Sequence, residues 1–185
     1  PAMIERAKQL AKEKALPNVE WQVGVAHPLP FEDNSFDAVT CRFAFHHIPS
    51  PMHAFLEMRR VCKVNGSIVV CDAYTSDDTA KAGAFNQMER LRDPSTVRFH
   101  RLDELERIFQ QAGLAPSRHF YRVPFEMNTL LKASFPNEGE AGLVRDMITR
   151  SAEDDSLGAG TRVTDGQIIF DYSVVILAAA KLPAG

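Results

Sequence analysis

Two short apolar runs, Phe36 to Phe43 and Ser67 to Tyr74, limit what this chain can become. Each is eight residues long and mostly apolar, the pattern of a strand covered on both faces rather than one with a wet side. Between them lies a helical stretch. Ser50-Pro51 places a hydroxyl at the cap and proline in the first turn. Phe55, Met58, Val61 and Cys62 form its inward stripe, and Asn65-Gly66 ends it. A strand, a helix and a second buried strand with a short return imply a right-handed crossover and parallel pairing. The chain is therefore expected to be α/β.

The flanking segments extend this pattern. Ile4, Ala7, Leu10 and Ala11 recur at helical spacing over about 2–15, with Glu5, Lys8, Lys12 and Glu13 opposite. Val19, Trp21, Val23 and Val25 alternate with polar residues and glycine, which predicts a strand over 19–25. Glu32-Asp33-Asn34-Ser35 supplies turn chemistry ahead of the first apolar run. The spacing of Phe85, Met88 and Leu91 predicts a helix over 77–92. Leu102, Leu105, Ile108, Phe109 and Ala112 mark another, ended by Gly113. A strand is expected over 115–125, helical pieces at 127–134 and 139–152, a loop of small residues at 156–160, and a long terminal strand over 167–180. The strands at 115–125 and 167–180 are expected to pair antiparallel at one sheet edge.

Composition narrows the function classes. With 185 residues, 45% apolar and 24% charged, one globular domain can bury a substantial core. The net charge of −3, from 21 basic and 24 acidic residues mixed along the chain, gives no footprint for nucleic acid. The longest apolar run, Val174 to Ala180, is too short to cross a bilayer. Cys41, Cys62 and Cys71 lack zinc spacing and read as buried thiols in a reducing, cytoplasmic setting. His46, His47 and His53 have no carboxylate or thiol at ligand spacing, so no metal site is expected. The chain opens on Pro1, which suggests a processed end or a fragment.

In open parallel sheets, ligands sit beyond the carboxyl ends of the strands. That directs attention to Arg42, Phe43, His46 and His47 after the first apolar run, and to Asp72 in the second. Asp72 suits either an acceptor pocket or a turn bond. Histidine as a residue type titrates near neutrality, which would let His47 act as a general base.

Four patterns occur in order: Gly24-x-Ala26-x-x-Leu29-Pro30-Phe31, Asp33-x-Ser35-Phe36-Asp37, His46-His47-Ile48-Pro49 and Val61-x-Lys63-x-x-Gly66-Ser67. Together they resemble the class I S-adenosylmethionine (SAM)-dependent methyltransferases, type 11, the ubiquinone/menaquinone methyltransferase-like branch. The resemblance implies a Rossmann-like sheet, mostly parallel with an antiparallel C-terminal hairpin, here missing the first two strands. It implies methyl transfer from SAM to a small, partly apolar acceptor. Cofactor-binding positions would be Val25, Ala26, Arg42, Phe43 and His47, with His47 also the candidate catalytic residue. The segments 76–101 and 127–160 would cover the acceptor side of a single, partial domain. The family's glycine-rich turn after its first strand is absent, and Val25 stands where an aspartate usually meets the adenine. The expectation is that this chain alone binds SAM poorly or not at all, and that it pairs its strands differently, exchanges strands in a homodimer or belongs to a longer protein. The alternative is a non-catalytic, methyltransferase-like module that self-associates.

Overall fold

The computed structural model describes residues 2–183; Pro1 lies outside them. Helix α1 (Ala2–Glu13) leads through an irregular segment to β1 (Phe36–Arg42). Then come α2 (Pro51–Val61), β2 (Cys62–Ala73), α3 (Thr79–Arg92), α4 (Leu102–Gln111) and β3 (Ser117–Glu126). The chain closes with α5 (Met127–Lys132), α6 (Glu140–Asp154), β4 (Arg162–Thr164) and β5 (Gln167–Ala180).

The sheet runs β1-β2-β5-β3, with β4 also paired to β5. β1 and β2 are parallel, from Ala38 opposite Ser67 to Arg42 opposite Cys71. β5 is antiparallel to β2, β3 and β4, so it alone opposes the common strand direction. The expected parallel pair and C-terminal antiparallel pair are both present. Their consequence is positional: the carboxyl ends of β1 and β2 lie side by side.

Two apolar clusters flank the sheet. One joins Phe55, Phe109, Ile68 and Leu177 under α2 and α4. The other joins Phe85, Met88, Ile148 and Phe170 under α3 and α6. Between them these residues are nearly inaccessible to water, and they supply most of the drive to fold.

Three local expectations are corrected. Residues 19–25 form no strand, and Val23 and Val25 are 68% and 65% exposed. Alternation alone does not make a strand without a second edge to pair with. β1 is not covered on both faces: it has a single neighbour among the described residues, and Phe36 to Ala38 are exposed. Helix α2 ends at Val61, ahead of Asn65-Gly66, and strand geometry begins at Cys62. The register jumps from Phe36 opposite Cys62 to Ala38 opposite Ser67, so residues 63–66 loop out. Asn65 takes a left-handed conformation, φ 64°, to close that loop.

Candidate functional site at the carboxyl ends of β1 and β2

β1 ends at Arg42, and Phe43 turns the chain with φ 48°, a region bulky residues rarely occupy. The turn is held by the Phe43 amide donating to the Cys71 carbonyl at 2.8 Å. The Arg42 guanidinium lies over the Phe43 ring, 4.7 Å from its centre. A single 3-10 turn, Phe45–His47, then carries the two histidines.

His46 points inward. Its Nδ1 lies 2.8 Å and 3.0 Å from the two oxygens of Asp72, near the end of β2. The His46 backbone amide donates to Asp72 Oδ2 at 2.9 Å, and the Ala73 amide to Oδ1 at 2.8 Å. Asp72 is 2% exposed and His46 8%. The imidazole stacks on Phe99 with ring centres 4.0 Å apart. The His46 carbonyl accepts from the amides of Val97 and Arg98, both at 3.0 Å, which fixes the strap that carries Phe99. The His47 ring packs beside that of His46, with ring centres 4.1 Å apart, and its Nδ1 lies 2.9 Å from the Ser95 carbonyl.

His46 borders a cavity of about 480 Å³. Arg42, Phe43 and Ala73 close it on the sheet side, and Tyr121, Phe125 and Tyr172 give it an aromatic wall. Phe125 meets Tyr172 edge to face at 5.6 Å. At its base the Tyr172 hydroxyl donates to Glu89 at 2.6 Å, and Arg92 holds the other Glu89 oxygen at 2.8 Å and 3.0 Å. Burial and the Glu89 charge push the Tyr172 phenol well above its ordinary range, so it remains a neutral donor. The Tyr121 hydroxyl lies 3.3 Å from Cys71 Sγ, and that bond, together with burial, raises its pKa.

The other expected positions lie apart from this cavity. Val25 is exposed. Ala26 borders a separate apolar groove of about 390 Å³ with Phe31, Phe36 and Met58. The two hollows share no lining residue. Beside the groove, Glu57 and Arg60 of α2 clamp the preceding loop: Leu29 N–H donates to Glu57 at 2.7 Å, and Arg60 donates to the Leu29 and Phe31 carbonyls. Thus Arg42 and Phe43 meet in one site, Ala26 lies in another, and His47 binds a backbone carbonyl. His46 with Asp72 is a pairing the residue spacing did not single out. The one signal for it was an aspartate near the end of an otherwise apolar strand. Among the described residues no cluster of three or more metal-ligating side chains occurs.

Comparison with known proteins agrees with this architecture. Residues 1–70 match the family model Methyltransf_11, described as a methyltransferase domain. The uncharacterised methyltransferase YcgJ of Bacillus subtilis is 42% identical over 113 residues, 61% of this chain and 45% of that protein. A demethylmenaquinone methyltransferase of Listeria welshimeri is 31% identical over 135 residues, 63% of this chain and 57% of that protein. The crystal structure of Bacillus subtilis YcgJ superposes with a TM-score of 0.88 at 28% identity, covering 99% of this chain and 80% of that one. In fold the chain is similar to Rossmann-like methyltransferases, and its first 70 residues are similar in sequence to the type 11 methyltransferase domain. The chain spans about half the length of the curated relatives it matches.

Proposed function

We propose that this protein transfers a methyl group from SAM to a small, flat, largely apolar acceptor held in the aromatic cavity. The observation that carries this reading is the cavity itself. It opens where Arg42 and Phe43 end β1 and Ala73 ends β2, the place where open α/β sheets bind ligands. Its walls suit an aromatic or quinol-like ring, which accords with the name of the Listeria relative.

The chemistry asks little beyond placement. The sulfonium already activates the methyl group, so holding donor and acceptor in line supplies most of the rate. Arg42 and Phe43 stand on the donor side, where the turn at Phe43 brings backbone close to the cavity. No glycine lines the cavity, so backbone capture of the methionine part falls outside what these walls supply. The segments 76–101 and 127–160 act as its cover, through Arg92, Phe99, Leu130 and Ala133. Free thiols at Cys41, Cys62 and Cys71 support a reducing, cytoplasmic location. No helix among the described residues is long and apolar enough to cross a membrane.

Titration calorimetry of the protein with S-adenosylhomocysteine tests the donor half. Weak but saturable binding is expected, because no glycine lines the cavity to hold the methionine part closely. Absence of binding, in a preparation whose circular dichroism shows a folded α/β protein, overturns the reading.

A further inference from the structure

We propose that His46 is the general base of this site, oriented by Asp72, and that the acceptor is methylated at a weakly acidic hydroxyl on an aromatic or enolic ring. This rests on the methyl-transfer reading above and deepens it. Four observations support it together.

The first is the tautomer. A carboxylate only accepts, so the nitrogen facing Asp72 at 2.8 Å carries the proton. That leaves the Nε2 lone pair free, and no protein partner faces it among the described residues. The second is rigidity. Asp72 accepts from the His46 ring, the His46 amide and the Ala73 amide, while Phe99 stacks on the ring. The imidazole therefore cannot swing away. The third is location. The ring borders the same cavity as Arg42 and Phe43, proposed above for the donor side, and as Tyr121 and Tyr172. The fourth is electrostatic. When the ring takes a proton, the Asp72 charge beside it stabilises the imidazolium that forms.

The step balances without a further reactant. His46 Nε2 takes the hydroxyl proton. The acceptor oxygen forms the new O–CH3 bond, and the S–CH3 bond breaks with its electron pair returning to sulfur. The positive charge of the sulfonium is thereby replaced by that of the imidazolium, which later gives its proton to water. An acceptor needs this help only when its hydroxyl is mostly protonated at working pH, which is why the inference points to phenol-like or enol-like groups rather than carboxylates.

His47 cannot take this part from where it stands. Its Nδ1 is engaged by Ser95, and it does not border the cavity.

The test compares two probe acceptors, 4-methylphenol and 4-nitrophenol, with SAM as donor at mildly alkaline pH. There the nitrophenol is already ionised and the methylphenol is not. In the wild-type protein both are methylated on oxygen. In His46→Gln and Asp72→Asn, transfer to 4-methylphenol falls by about 10²-fold or more, and transfer to 4-nitrophenol by less than about tenfold. Equal losses on both probes overturn the base role and leave the methyltransferase reading intact. Binding of S-adenosylhomocysteine without O-methylation of either probe by the wild type overturns the hydroxyl assignment. Failure to bind that nucleoside removes the underlying reading instead. Nitrogen-15 NMR of the histidine rings in the wild type is an independent check that needs no variant. The neutral His46 ring is expected as the Nδ1–H tautomer, and an Nε2–H tautomer overturns the proposal.

Discussion

Tyr172 donates its hydroxyl to Glu89 across 2.6 Å at the base of the aromatic cavity, and both groups are shut off from water. The bond joins the middle of β5 to α3, 83 residues earlier in the chain. With Arg92 on the other oxygen, it allows a carboxylate that is 0% exposed to sit among aromatic rings. Removing one partner of a buried charged group costs more than the bond itself contributes.

Tyr172→Phe keeps the ring and deletes only the donor. A loss of about 1–3 kcal/mol in urea unfolding is expected. The alkaline behaviour follows from the same bond. Folding raises the Tyr172 pKa, so the unfolded chain releases that proton first, near about pH 10. The stability is fully present below that pH and is lost as pH rises beyond it. Between about pH 9 and 11 the wild-type midpoint should fall more steeply than that of Tyr172→Phe. Parallel slopes would refute this account.

The Glu57–Arg60 clamp predicts the acid counterpart. The Arg60 guanidinium, the Leu29 amide behind it, lowers the Glu57 pKa to about 2. A depressed carboxylate contributes stability above its unfolded value, near about 4.3, and loses it as pH falls toward 2. Glu57→Gln should cost about 1 kcal/mol at neutral pH and remove most of that acid-side loss. Because the clamp holds the carbonyls of Leu29 and Phe31, limited proteolysis should cut first within 27–35 in the variant.

How much of this was legible beforehand differs between scaffold and site. β5 was readable to the residue, because fourteen residues with a continuous apolar centre have no other good fate. α4 was equally plain, since its stripe buries Leu105, Ile108 and Phe109. Pairing was harder. β4 went unread although Asp165-Gly166, both left-handed at φ 51° and 75°, is a strong two-residue hairpin signal. The alternation at 19–25 was real, yet pairing is a tertiary property that no local pattern supplies. At the site, adjacency implies that His46 and His47 diverge, yet in the 3-10 turn their rings pack 4.1 Å apart, and only His46 reaches the cavity. That choice is made by Asp72, 26 residues away, through a contact spacing cannot reveal.

Gly66 is required by closeness rather than by backbone angle. A Cβ there would sit 2.8 Å from the Asp37 carbonyl, 2.8 Å from Cys62 Sγ and 2.9 Å from the Lys63 carbonyl. Two of these are backbone atoms and cannot step aside without moving the β1–β2 register at the loop-out. Gly66→Ala should lose about 2 kcal/mol or more. Gly83→Ala is the control: nothing lies within 4 Å of its added Cβ, and it sits in the interior of α3, where alanine is the better helix former. A Gly66→Ala variant as stable as the wild type would disprove the tight approach.

The cavity can be filled without disturbing the core. Ala133 caps α5 and borders the hollow, yet is itself exposed, so a larger side chain can enter from the mouth. A tryptophan there would occupy a large share of about 480 Å³. It approaches from α5 rather than from the strand ends that carry Arg42 and Phe43. Ala133→Trp should therefore raise the acceptor KM by about tenfold or more, while the affinity for S-adenosylhomocysteine changes by less than about threefold. Thermal unfolding should stay within about 0.5 kcal/mol of the wild type, as for other exposed substitutions. If acceptor and donor affinities fall together, the aromatic hollow is not a separate acceptor chamber.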